Sequence, residues 1–156
     1  MNRRERKQLE NAAASGDTDA MRRLGADAGL SRDFKKSCQW YTKAAEAGDM
    51  KATAGAGAGC RALGNMDEAR RWWRLGAEVG EVSAMPGLAQ LALDASDFDE
   101  ARLWFTKAAN AGNVDGMAGL ALTEFKEGNL LEARKWAELA ASKGSRSGEI
   151  ILRGFL

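Results

Sequence analysis

The sequence contains no histidine. That removes the histidine-based catalytic pairs and histidine-ligated zinc. Its two cysteines are too few for a four-thiolate zinc site. A single proline fits a chain that is nearly all helix joined by short loops. No apolar run approaches the ~18 residues that a membrane span needs. The first residues are basic (Arg3, Arg4, Arg6, Lys7), but polar residues and alanines follow rather than the apolar block of a secretory signal, so the expected location is the cytoplasm. A surplus of charge is missing too. With 23 basic and 22 acidic residues the net charge is +1, which gives no global attraction to nucleic acid or acidic membranes. At 156 residues the chain is expected to be one domain, 1–156.

What is present is periodicity. The stretch WYTKAAEAGD at 40–49 returns as WWRLGAEVGE at 72–81, WFTKAANAGN at 104–113 and WAELAASKGS at 136–145. Trp40, Trp72, Trp104 and Trp136 are each 32 residues apart, and Gly16, Gly48, Gly80, Gly112 and Gly144 keep the same step. A fixed period of this length signals a repeat solenoid. Residues 17–48, 49–80, 81–112 and 113–144 are four full repeats of two helices, A then B. Residues 1–16 align with a B helix, Leu9, Ala12 and Ala13 falling where Tyr41, Ala44 and Ala45 fall one unit later, and form an N-terminal cap. Residues 145–156 form one more A helix.

Helix boundaries can be read from caps. The A helices are expected to start at Asp17, Asp49, Glu81, Asn113 and Ser145, each just after a glycine suited to the left-handed residue that closes the previous helix. The B helices are expected to start at Asp33, Asn65, Asp97 and Asn129. Glu68, Glu100 and Glu132 lie three residues after the last three, close to a capping box. Pro86 cannot sit five residues into a regular helix, so the third A helix should start late, near Ser83, or bend.

The element W-aromatic-x-K-A-A-x-A-G-[DN], together with Ala20-x-x-x-Leu24-Gly25 in the first A helix, resembles Sel-one-like repeats, a branch of the tetratricopeptide-type superfamily. The likeness covers residues 17–144 with half-repeats at both ends. It implies an all-α, right-handed α-solenoid of helical hairpins that binds other proteins and performs no catalysis. It also implies a concave groove lined by A helices. Mapped here, the groove residues are Arg22, Arg23, Ala26, Lys51, Ala54, Gly55, Ala58, Arg61, Pro86, Gly87, Gln90, Asp115, Ala118, Gly119, Leu122, Phe125 and Lys126. The expected function is a non-enzymatic interaction module or adaptor that takes a peptide segment or helix of another protein. Its alternatives are a neutralising partner of another bacterial protein, of the immunity or antitoxin type, and a nucleic-acid-binding module using Arg70–Arg74. No cofactor or metal is expected.

Several stretches carry a second reading. The tryptophans form either a ligand-stacking ladder or, as expected, inter-repeat packing. Gly55, Gly57 and Gly59 imitate a phosphate loop, but no strand precedes them; close helix packing explains them, and they should make the second A helix the least protected. Arg70, Arg102 and Arg134 share one repeat position and should form a solvated outer row, with Asp67 and Asp99 in pairing reach of the first two. The carboxylates between Asp94 and Glu100 lack the pattern of a calcium loop and read as a linker plus cap. Cys38 and Cys60 flank Gly48 on antiparallel helices at a similar height and are expected to stay reduced. At the end, Ile150, Ile151, Phe155 and Leu156 either cap the last repeat or join two chains in a homodimer.

Overall fold

The computed structural model describes residues 1–155 and places them in ten α-helices, with no strand among the described residues. The helices are α1 Arg3–Ala14, α2 Thr18–Leu30, α3 Phe34–Glu46, α4 Thr53–Ala62, α5 Met66–Glu78, α6 Met85–Asp94, α7 Phe98–Asn110, α8 Val114–Lys126, α9 Leu130–Ser142 and α10 Arg146–Arg153. The chain divides into two compact units, Met1–Ala84 and Met85–Leu156.

One local device sets the period. α1 ends at the C-cap Ser15; Gly16 follows with φ of 94° and donates its amide to Ala13 O, while the Asp17 amide reaches Ala12 O, both at 3.1 Å. This is a Schellman motif, which satisfies carbonyls that the helix end leaves open. Asp17 is also the N-cap of α2, its side chain accepting the Ala20 amide at 3.0 Å. One residue therefore closes a helix and the next opens another. The left-handed position recurs every sixteen residues, from Gly16 to Gly144. Glycine fills it except at Arg32 and Ser96, both at φ of 59°. A 13-residue helix plus this linker is half of the 32-residue repeat, so the loop between A and B is as tight as the short period requires.

Caps depart from expectation at several places. Asp49 caps a 3-10 turn, Met50–Ala52, and α4 begins only at Thr53. The third A helix starts at Met85, so Pro86 lies in its first turn, later than the expected Ser83 and for the expected reason. The side chains of Asn65 and Asn129 accept no amide, and no full capping box forms: the amides of Asn65, Asp97 and Asn129 already donate back to Cys60, Ala92 and Glu124.

In the first unit each helix packs on the next from α1 to α5, and in the second from α6 to α10. The A helices also touch one another, α2 with α4, α6 with α8 and α8 with α10. Aromatic residues of the B helices fill the space between them. On α7 the residue after the recurring tryptophan goes deeper. Phe105 is 2% exposed inside a cluster with Ala89, Leu93, Met117 and Leu120, whereas Trp104 and Trp136 are partly buried against that cluster. The core role expected of Trp104 therefore falls mainly to its neighbour. Trp104 lies under a lysine, with Lys107 Nζ 4.2 Å from its ring centroid, and Lys43 covers Trp40 in the same way at 5.0 Å. The lysine of the repeated W-x-x-K thus screens the outer face of the ring.

Candidate functional site

The A helices carry small residues where B-helix aromatics rise between them. Tyr41 of α3 lies between α2 and α4: a methyl group on Gly25 would meet its ring at 2.8 Å, and one on Gly55 at 2.5 Å. On the other face of α4, Gly57 leaves room for Trp73, whose Nε1 donates to Ala54 O at 3.1 Å. In the second unit Gly119 gives the same room to Phe105. The three interior glycines of α4 are thus packing positions, and no strand precedes them.

Two clefts follow from this in the first unit. One of 300 Å³ is lined by Arg22, Arg23, Ala26, Tyr41, Lys51, Ala54 and Gly55. Its neighbour of 470 Å³ shares Tyr41 and Gly55 and adds Gly29, Phe34, Ser37, Ala58, Gly59, Arg61 and Ala62. In the second unit a cleft of 380 Å³ is lined by Pro86, Gln90, Phe105, Asp115, Ala118, Gly119, Leu122, Ser147, Ile150 and Ile151. Most of the groove residues read from the sequence therefore meet in one cleft or another. Gly87, Phe125 and Lys126 line none of these three: Phe125 packs edge to face with Phe155 at 5.3 Å. Ile150 and Ile151 of α10 line this cleft together with Phe105, and Ile150 remains 58% exposed, so the last helix keeps an apolar face open to solvent. Phe155 is held by Phe125 and by the Arg134 guanidinium, 5.4 Å from its ring. Leu156 lies outside the described residues.

The clefts are less basic than their residue names suggest. Arg22 is held between Asp49 at 2.6 Å and Asp19 at 2.7 Å, and Arg23 pairs with Glu5 at 3.2 Å. Arg61 stacks on Trp73 at 5.6 Å. Burial raises the Tyr41 hydroxyl above its ordinary pKa. In the second unit Gln90 donates to Asp94 at 2.7 Å, and Asp115 is exposed.

The outer row of arginines breaks up. Arg70 is exposed, and no ion pair joins it to Asp67 among the described residues. Arg102 instead reaches into the α7–α8 contact. Its Nε meets Glu124 Oε1 at 2.7 Å, its other nitrogens reach Asp99 and Glu127, and Asn129 donates to the second Glu124 oxygen at 2.7 Å. Glu124 is only 7% exposed, so this is a fastening between helices and not a solvated pair. In the Arg70–Arg74 stretch Trp72 and Trp73 are both buried, which leaves no ring face for a nucleic-acid base. Of the carboxylates between Asp94 and Glu100, Asp94 ends α6, Asp97 follows the left-handed Ser96 and caps α7, and Asp99 and Glu100 lie in the first turn of α7. No helix among the described residues is long and apolar enough to cross a membrane.

The pattern of the Sel1 repeat matches residues 18–49, 55–81, 88–113 and 117–145. The chain belongs to the Sel1 repeat family. The matches break at 50–54, 82–87 and 114–116; the first two gaps coincide with the 3-10 turn and the delayed start at Pro86, while the third falls in the regular first turn of α8. A crystal structure of a Sel1 repeat protein from Oxalobacter formigenes is similar, with a TM-score of 0.70 and 29% identity over 88% of this chain and 63% of that one. So is c5321, a protective antigen present in uropathogenic Escherichia coli strains that displays an SLR fold, with a TM-score of 0.79 and 24% identity over 92% of this chain and 34% of that one. The chain thus spans less than two thirds of either protein. No curated protein matches the sequence. The fold class is the α-solenoid of Sel1 helical hairpins, and Sel1 repeats commonly serve as protein–protein interaction modules.

Proposed function

We propose that this Sel1 repeat chain is a non-enzymatic module that holds an extended segment or a helix of another protein along its A helices. The observation that carries this reading is the cleft of the second unit. Ala118 and Gly119 keep its wall low over Phe105, Leu122, Ile150 and Ile151 supply apolar contact, and Gln90, Asp115 and Ser147 stand at the rim. Small residues over an aromatic floor suit a backbone or a helix face laid flat, and rim polar groups fix its direction. In the first unit Tyr41 and Gly55 make a similar floor under Ala54 and Ala58.

A photo-activated residue tests this at three positions in cells that make the protein. Placed at Gln90 or Leu122 it should give a discrete protein adduct, and at Lys135, exposed on α9, none. Filling the rim with Ser147→Trp should abolish the Leu122 adduct while the melting temperature holds. Adducts from Lys135, or adducts from Leu122 that survive Ser147→Trp, would place the partner elsewhere.

A further inference from the structure

Two thiols meet where α3 packs on α4. Cys38 Sγ and Cys60 Sγ are 2.9 Å apart, and both are free. Gly59 makes the approach possible: a methyl group there would lie 2.8 Å from the Cys38 Cα, so glycine lets the two backbones come this close. The same register is a fastening point elsewhere in the chain. Cys38 and Cys60 are separated by 22 residues, and so are Arg102 and Glu124, which hold the same two repeat positions on α7 and α8. One helix pair is fastened there by a charge-assisted hydrogen bond. The other carries two thiols in contact.

We propose that Cys38 and Cys60 are an oxidant-responsive modification site, which closes to an intramolecular disulfide fastening α3 to α4 when a hydroperoxide is present. The sulfurs need to approach by only about 1 Å to reach bonding distance. The two thiols are not equivalent. Cys60 is buried, and its thiol is pushed up to about 12, by burial first and by its hydrogen bond to Cys38 second. Cys38 is partly exposed and meets the oxidant first. Its thiolate attacks the peroxide, the O–O bond breaks, and Cys38 becomes a sulfenic acid while the alkoxide takes up a proton. The Cys60 sulfur then attacks Cys38 Sγ. The S–O bond breaks, and the departing hydroxide takes the Cys60 proton and leaves as water. In sum, two thiols and one hydroperoxide give one disulfide, one alcohol and one water. The bond lies beside the first-unit cleft that Gly59 lines, so it sets the spacing of α3 and α4 at that wall.

The test uses the full chain treated with hydrogen peroxide, then alkylated without reductant. The expected product is a monomer lighter by two hydrogens that takes up no alkylating reagent. Digestion should give a peptide joining positions 38 and 60, and dithiothreitol should restore both thiols. The oxidised chain should melt several degrees above the reduced one, because the link restricts the unfolded chain. Cys38→Ser should abolish the loss of two hydrogens; if it fails to fold, the wild-type measurements decide alone. Sulfinic acid at Cys38 with Cys60 still reduced, disulfide-linked dimers, or a linked monomer that melts below the reduced chain would each overturn the proposal.

Discussion

Trp104 and Phe105 are neighbours on α7, about 100° apart around the helix, and packing divides them. Phe105 enters the core opposite Gly119, while Trp104 keeps one face for Lys107. Phe105→Ala should cost about 3–5 kcal/mol, the cost of a large core cavity. Trp104→Ala should cost only about 1–2 kcal/mol, since part of its surface is already in water and one cation–π contact is lost with it. Urea denaturation of the two variants checks the order; a larger loss at Trp104 would reverse the assignment. Neither residue's depth is visible in its type. Tryptophan recurs more faithfully along the sequence, yet on α7 the position after it is the more buried.

At the scale of the helix, α4 is both permissive and constrained. Three interior glycines cost about 1 kcal/mol each against alanine, and its first turn is 3-10. Its amides should therefore exchange faster than those of α2, α3 and α5. Substitution with alanine nevertheless cannot rescue it. In Gly57→Ala the methyl group lands on the Trp73 indole, which is anchored by its hydrogen bond to Ala54. That variant should lose stability by more than about 1 kcal/mol despite the better propensity. An increase in its urea midpoint would show that the indole can move aside. The B helices give a parallel contrast at one repeat position. Arg102→Ala leaves the nearly buried Glu124 with Asn129 but no cation at 2.7 Å, and should cost about 1–3 kcal/mol. Arg70→Ala removes an exposed side chain and should stay within about 0.5 kcal/mol. Equal losses in thermal melts would mean that the Glu124 contact is not a fastening.

For the whole molecule, two depressed carboxyls add a small share of acid sensitivity. The hydrogen bond from Arg6 holds Asp27 below its ordinary 3.8, and that from Lys36 does the same for Asp33. A depressed folded pKa means that stability is present above the unfolded value and is lost as pH falls through the folded one. Both groups lie at the surface, so their effect is small. The melting temperature should stay level from pH 7 to about 4.5 and decline below about pH 4, and the decline should be shallower in Asp27→Asn combined with Asp33→Asn. A decline of equal slope in the double variant would assign the acid sensitivity to other groups.

Much of the architecture was local, and local chemistry is legible in a sequence. The left-handed position after each helix needs glycine or tolerates Arg32 and Ser96, and the residue after it caps the next helix. That grammar determined the helix order, while the late start of the third A helix came from Pro86 and not from the cap rule, which points to Glu81. Membership in a solenoid class followed from the period, because each hairpin must bury its apolar face on its neighbour. Tertiary structure decided what lies across a helix contact. Arg102 and Arg70 have the same sequence setting, but only Arg102 has a Glu124 one helix away. Ile150 and Ile151 were legible as an apolar end, but only the placement of α10 beside α8 makes them line a cleft, with Ile150 still exposed. The thiols of Cys38 and Cys60 had a similar height in sequence, while their contact depended on the close approach that Gly59 allows between α3 and α4. Periodicity reports which face of a helix is turned inward; distances across that face depend on the volumes of both helices together, and no single helix carries that information.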